Sequence, residues 1–319
     1  MKIVFFSEMG FVGKIPRIHK NMRVEFAQMC SLEADHYPMF QIPQVKEQYD
    51  IAILLVGKTT KFREHIAKID VISEARRFSK KVLWMQEGPH WIFQDMPLEH
   101  QFWHYGVLAE ADGLLCENKT DIPYFKGIMG EDKWVEDIPS LMITDLIKDV
   151  EFQSKEDKVV IGGNFVRWYG GFDSYICARD LDIPIWAPSM GRKIDNEELI
   201  EDINYFSYME WVDWIKTLSS FKYAIHLMPT TGAGTFSMNC AYLGIPCVAY
   251  NDLDTQINLH PDLSVNPSDV QSARKLLNKL KNDSIFYKDM SDKCRQLYKE
   301  NHSEEFFKSD IKQKLKGLL

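Results

Sequence analysis

FKYAIHLMPTTGAGTFSMNCAYLGIPCVAYND, residues 221–252, reads as one strand, loop, helix and strand in succession. Tyr223 to Met228 form a short apolar run of strand type, and 229–235 are a loop of small residues whose backbone can approach a ligand closely. A helix is expected from about Phe236 to Leu243. Gly244-Ile245-Pro246 stops it, and Cys247 to Tyr250 give the next buried strand. Unpaired N–H groups at a helix start carry partial positive charge, so Thr231, Gly232, Gly234 and Thr235 form a candidate phosphate cradle. Tight turns in any α/β protein also use such glycines, and the segment alone leaves both readings open.

The chain has 319 residues, of which 45 % are hydrophobic and 13 % aromatic, enough for a large core and about two domains. No apolar run approaches the roughly 20 residues of a membrane span, and MKIVFFSEMGF lacks the basic start and cleavage site of a signal peptide. The expected location is cytoplasmic. Six scattered cysteines without a CxxC pair indicate neither a disulfide framework nor a zinc site. A net charge of -8 argues against a protein that grips nucleic acid over its whole surface, but leaves room for a local basic groove.

Working outward, Lys2 to Phe6, Ile51 to Val56, Val82 to Met85 and Gly113 to Cys116 are strand candidates. Helical stretches separate them at Met22 to Leu32, Ser73 to Phe78 and Leu98 to Glu110, a rhythm that implies a parallel sheet. The polar stretch Asp149 to Lys158 reads as a domain boundary, after which Val159-Val160-Ile161-Gly162-Gly163 starts a second strand and glycine loop. The expected organisation is an α/β protein of two Rossmann-like domains, 1–150 and 151–302, with a last helix, 303–319, packing back onto the first.

In open parallel sheets ligands collect at the carboxyl ends of strands, so the residues just after each strand carry the chemistry. Gly162, Gly163, Asn164 and Arg167 follow the boundary strand, where a guanidinium and loop amides together suit a diphosphate. Arg192, with Lys193 beside it, could add charge at the same sheet edge. Glu87 stands at the end of the Val82 strand, placed to take a proton from an acceptor hydroxyl, with Glu8 as a weaker alternative and His90 as a second base or an orienting group. Loop acids and loop histidines also serve as caps and ion-pair partners. Arg17, His19, Lys20, Asn21 and Arg23 make a basic patch fit for an anionic acceptor, or a solvated loop. Trp91 lies near a candidate ligand loop and could stack on a base or sugar.

With these residues in view, the chain resembles the GT-B class of glycosyltransferases, in which two Rossmann-like domains face each other across a cleft and the second binds the nucleotide-sugar donor. Within the class it is similar to the bacteriophage DNA β-glucosyltransferase family, inverting enzymes that modify 5-hydroxymethylcytosine in duplex DNA. The family's Gly-Gly-Ser-Phe-Arg run matches Gly162-Gly163-Asn164-Phe165-Val166-Arg167 with one extra residue, Val166, and its catalytic aspartate corresponds to Glu87. The family's second arginine falls near Gly171 here, so Arg192 or Lys193 would have to stand in. The glutamate that in many GT-B enzymes holds the donor ribose is Asn239.

The resemblance implies transfer from a nucleotide sugar, a UDP-sugar, with inversion and with no metal or other cofactor. Glu87 would act as base, Arg167 and the loops near Gly163 and Thr235 would hold the diphosphate, and Tyr208 and Met209 would hold the nucleobase. The acceptor implied is a hydroxymethylated pyrimidine in phage DNA. A glycan or lipid-linked acceptor fits the acidic net charge, and a nucleotide-sugar epimerase or a non-catalytic binder on the same scaffold are the rivals.

Overall fold

The computed structural model describes residues 1–17, 23–57, 65–188 and 194–319. The chain divides into two compact units, and both ends of the sequence contribute to the first: Met1–Arg17, Arg23–Leu141 and Phe307–Leu319. Met142–Phe306 make up the described part of the second.

The first unit is built on a seven-stranded sheet. Its strands are β1 (Ile3–Ser7), β2 (Gly13–Lys14), β3 (Asp35–Pro38), β4 (Tyr49–Leu54), β5 (Ser79–Met85), β6 (Gly113–Cys116) and β7 (Trp134–Asp137), in the order β2-β3-β1-β4-β5-β6-β7. All neighbours are parallel except β2, a two-residue edge paired antiparallel to β3. Every residue of β1 and β6 is buried, as strands covered on both faces require. The described helices are α1 (Val24–Ser31), α2 (Val71–Arg76), α3 (Leu98–Glu110) and α4 (Ile122–Met129). The Asp70 carboxylate caps α2 by accepting from the Ser73 amide at 3.0 Å.

The second unit holds a six-stranded, all-parallel sheet: β8 (Glu156–Ile161), β9 (Ile185–Ala187), β10 (Ile203–Tyr205), β11 (Phe221–His226), β12 (Cys247–Tyr250) and β13 (Ser264–Val265), ordered β10-β9-β8-β11-β12-β13. Its helices are α5 (Gly171–Ala178), α6 (Trp211–Leu218), α7 (Thr235–Leu243), α8 (Asp254–Leu259), α9 (Val270–Asn282) and α10 (Ser284–Asn301). A final helix, α11 (Glu304–Leu318), buries Phe307, Ile311 and Leu315, and its Lys314 ammonium meets the Asp137 carboxylate at the end of β7 at 3.0 Å.

Strand order fixes where each sheet opens. In the first unit the chain runs from β1 outward to β3 and then crosses back to β4, so the topological switch lies between β1 and β4. In the second it runs β8, β9, β10 and crosses back to β11, placing the switch between β8 and β11. No described helix is long and apolar enough to cross a membrane.

Candidate functional site

At the switch of the second unit two glycine turns lie against each other. Gly162 and Gly163 follow β8. A Cβ on Gly162 would strike the His226 ring and Phe236, and one on Gly163 would strike the Tyr169 backbone. Further along the same loop, Gly170 adopts φ +64°, and a Cβ there would overlap the Leu227 carbonyl. Glycine is therefore required for the loop after β8 to seat against the loop after β11.

Both loops end in helices whose N-cap is a left-handed glycine, Gly170 for α5 and Gly234 for α7, with no side chain capping the first-turn amides. The starts of α5 and α7 thus both open at this switch, the Gly171 amide of α5 being taken by the Asn164 carbonyl. Thr231, Gly232, Gly234 and Thr235 lie on the loop into α7, and Asn239 lies one turn inside the helix, 4 % exposed, its carboxamide oxygen without a hydrogen-bond partner among the described residues. The far end of α7 is closed by donors: Lys155 Nζ and Ser291 Oγ both reach the Gly244 carbonyl, and Arg295 the Leu243 carbonyl at 3.3 Å.

Asn164 and Arg167 occupy the β8 loop, but in different roles. Asn164 is fully buried, and its Oδ1 accepts from the Val166 amide at 3.2 Å while its carbonyl takes the Gly171 amide, so these two bonds shape the loop. Arg167 begins a short 3-10 turn, is exposed, and makes no ion pair with any described residue. Tyr208 and Met209 lie past edge strand β10, two strands removed from β8, with Tyr208 77 % exposed. Arg192 and Lys193 lie outside the described residues.

At the switch of the first unit, the loops after β1 and β5 bring Glu8 and Glu87 onto one guanidinium. Arg23 Nη1 donates to Glu8 at 2.9 Å, Nη2 to Glu87 at 2.6 Å, and Nε meets Glu25, a buried acid of α1. Burial opposes charge on Arg23, yet the three carboxylates, Glu25 foremost, hold its pKa above the ordinary arginine value. Arg23 is thus tied into ion pairs with carboxylates of its own unit, which corrects the reading of it as part of a solvated basic surface. Arg17 is exposed, and His19, Lys20 and Asn21 lie outside the described residues.

His90 opens a short turn that also holds the half-buried Trp91. Its Nδ1 lies 2.9 Å from the carboxylate of Asp121, a residue 2 % exposed in the loop after β6. The Tyr124 ring leans on the imidazole at 4.4 Å. An acceptor carboxylate at Nδ1 fixes the proton there and leaves Nε2 as a lone-pair base. Asp121 is not legible as a partner from spacing, since 31 residues separate the two in sequence.

A second histidine pair fixes the loop that carries Glu8. The Phe11 carbonyl can only accept, so His36 Nδ1 donates to it at 2.9 Å, and Nε2 then accepts from the Ser7 hydroxyl at 2.8 Å. Burial holds the His36 pKa down to about 4.

Two parallel-sheet Rossmann-like units, with glycine turns at the second switch, define the architecture of the GT-B glycosyltransferases. No protein-family model matches the sequence, and no curated protein matches it. Among solved structures, HepE of Anabaena in complex with UDP aligns with a TM-score of 0.69 at 11 % identity, covering 99 % of this chain and 100 % of that one. A trehalose-6-phosphate synthase studied for glycosyl transfer with retention aligns at 0.62 and 12 % identity over 91 % and 78 % of the two chains. TarM aligns at 0.62 and 10 % identity, covering 82 % of this chain, which spans about half of TarM at 54 %.

Proposed function

We propose that the protein is a glycosyltransferase that takes a sugar from a nucleotide sugar, a UDP-sugar, and joins it to an acceptor hydroxyl. The observation that carries this reading is the pair of glycine turns at the switch between β8 and β11, each opening into a helix whose first amides no side chain caps. Arg167, exposed and without an ion pair among the described residues, stands on one of those turns, ready to neutralise a diphosphate. The likeness to UDP-bound HepE supports the choice of nucleotide.

For the chemistry we favour His90 over Glu87 as base. Glu87 is held in an ion pair with Arg23, whereas Asp121 orients His90 with its Nε2 left as a lone-pair base. The acceptor oxygen forms a bond to the anomeric carbon, the bond from that carbon to the β-phosphate oxygen breaks, UDP leaves, and the hydroxyl proton passes to His90 Nε2. Arg167 and the amides that open α5 and α7 stabilise the charge that grows on the leaving diphosphate. This is an inverting route. Comparing the anomeric configuration of donor and product by proton NMR decides it, and a retained configuration refutes the role given to His90.

The acceptor reading is hydroxymethylated pyrimidine in DNA, on the strength of the sequence resemblance. The net charge of -8 favours instead a glycan acceptor without phosphates. A screen of UDP-sugars, with hydroxymethylcytosine DNA or neutral oligosaccharides as acceptor, separates the two. UDP release that depends on DNA supports the first, and release that depends on oligosaccharide supports the second. Interconversion of UDP-sugars with no acceptor present identifies an epimerase, and no turnover of any donor refutes the enzyme reading.

A further inference from the structure

α8 lies beside α7, and side chains of its first turn meet the first turn of α7. Gln256 does so as an ordinary buried polar residue: its Oε1 accepts from the Ser237 hydroxyl at 2.8 Å and its Nε2 donates to the Cys247 carbonyl at 3.0 Å. Thr255, its neighbour, differs. It is 3 % exposed, and its hydroxyl has no hydrogen-bond partner among the described residues. That hydroxyl lies against Gly234, the N-cap of α7: a Cβ on Gly234 would strike Oγ1 first, while the methyl, Cγ2, stands further off at 3.3 Å. The rotamer thus turns the polar arm of the side chain, and not the apolar one, to the glycine that opens the helix.

A buried hydroxyl without a partner costs stability, and a valine would fill the same space without that cost. The hydroxyl does not cap α7 either, since it accepts from none of the amides beside it. What it does adjoin is a helix start whose N-cap supplies no side-chain acceptor and whose glycine, at φ +61°, leaves the hydroxyl in direct contact with the cap. From this juxtaposition we infer that Thr255 is a ligand-contacting residue of the donor site, its hydroxyl donating to an oxygen of the diphosphate held by the amides that open α7. A hydroxyl rotates to suit its acceptor, and one shielded from bulk water binds a charged oxygen more strongly than one at the open surface. The inference rests on the nucleotide reading above and deepens it, adding a side-chain donor from α8 to a site otherwise built from the loops after β8 and β11.

The test uses the full chain, with UDP and inorganic pyrophosphate as probes in titration calorimetry and thermal melting of the ligand-free protein alongside. Thr255→Ser keeps the hydroxyl and loses the methyl, and Thr255→Ala loses both, so the two variants differ by the hydroxyl alone. Thr255→Ser should bind both probes within about threefold of the natural protein, and Thr255→Ala roughly tenfold more weakly than Thr255→Ser. Both should melt below the natural protein for want of the buried methyl, and Thr255→Ala no lower than Thr255→Ser. Equal affinity in the two variants overturns the inference. So does a Thr255→Ala protein that both binds more weakly and melts lower than Thr255→Ser, since the hydroxyl then serves the ligand-free fold. A natural protein that binds pyrophosphate but not UDP refutes the nucleotide reading, while the two variants still decide the role of Thr255 with pyrophosphate, and one that binds neither refutes both.

Discussion

Gly170→Ala tests the loop geometry directly, because the same substitution elsewhere in the chain should act with opposite sign. At Gly170 the backbone has φ +64°, which costs an L-residue roughly 1–2 kcal/mol. The added methyl also overlaps the Leu227 carbonyl, a backbone group of the loop that leaves a central strand and cannot yield as a side chain would. Forcing a methyl into such a place costs about 1–3 kcal/mol more. The expected loss is therefore about 2–5 kcal/mol, a large part of the roughly 5–15 kcal/mol that holds a domain together. Gly127, on the exposed face of α4, has nothing within 4 Å of the position a methyl would take and has an ordinary helical backbone, so Gly127→Ala should stabilise by about 0.5–1 kcal/mol. Hydrogen exchange of the β11 amides reads the first effect locally, and urea denaturation reads both. Because the β8 loop would be pushed off the β11 loop, Gly170→Ala should also weaken UDP binding. A Gly170→Ala protein within about 0.5 kcal/mol of the parent, the range of an ordinary surface change, would refute the claim that the two turns are pressed together.

Three further outcomes are expected. Arg167→Ala should leave stability within about 0.5 kcal/mol, because the side chain is exposed and makes no ion pair among the described residues, yet weaken UDP binding roughly tenfold in calorimetry. Asp121→Asn should lower turnover by about 10²–10⁴-fold with nucleotide affinity unchanged, since it removes the carboxylate that sets the His90 tautomer; equal turnover would exclude His90 as base. Acid should destabilise the fold below about pH 6.5. His36, His226 and His260 are held down to about 4 and His104 to about 3 by burial, so the unfolded chain takes up protons that the fold refuses. Each such histidine steepens the loss by about 1.4 kcal/mol per pH unit as pH falls from about 6.5 toward its folded value, and denaturant titrations at pH 7, 6 and 5 measure it.

Regular apolar runs make most of this architecture readable. β1, β6 and β12 are almost wholly apolar, β5 and β11 carry the apolar runs Val82 to Met85 and Tyr223 to Ile225, and α3 has the ends that its residue pattern predicts. β3 escapes because Asp35-His36-Tyr37-Pro38 has no strand-like composition; it is held by its register with β1. β7, β10 and β13 are short and lie toward the sheet margins, where tertiary pairing rather than residue type decides. The glycine turns are legible because backbone conformation leaves a mark on sequence. Ion pairs over long separations leave none, which is why Arg23 looks like surface charge in the sequence and why Asp121 goes unseen beside His90.

The return of α11 to the first unit has a consequence for the order in which the protein is made. Phe307, Ile311 and Leu315 are fully buried, and Lys314 bonds Asp137, 177 residues earlier in the chain. The amino-terminal unit thus leaves the ribosome first but lacks a piece of its own interior until residues 307–319 have been synthesised, while the unit inserted between can close on itself sooner. Assembly runs against the direction of translation, and loss of the last dozen residues would be felt in the half of the molecule that begins the chain.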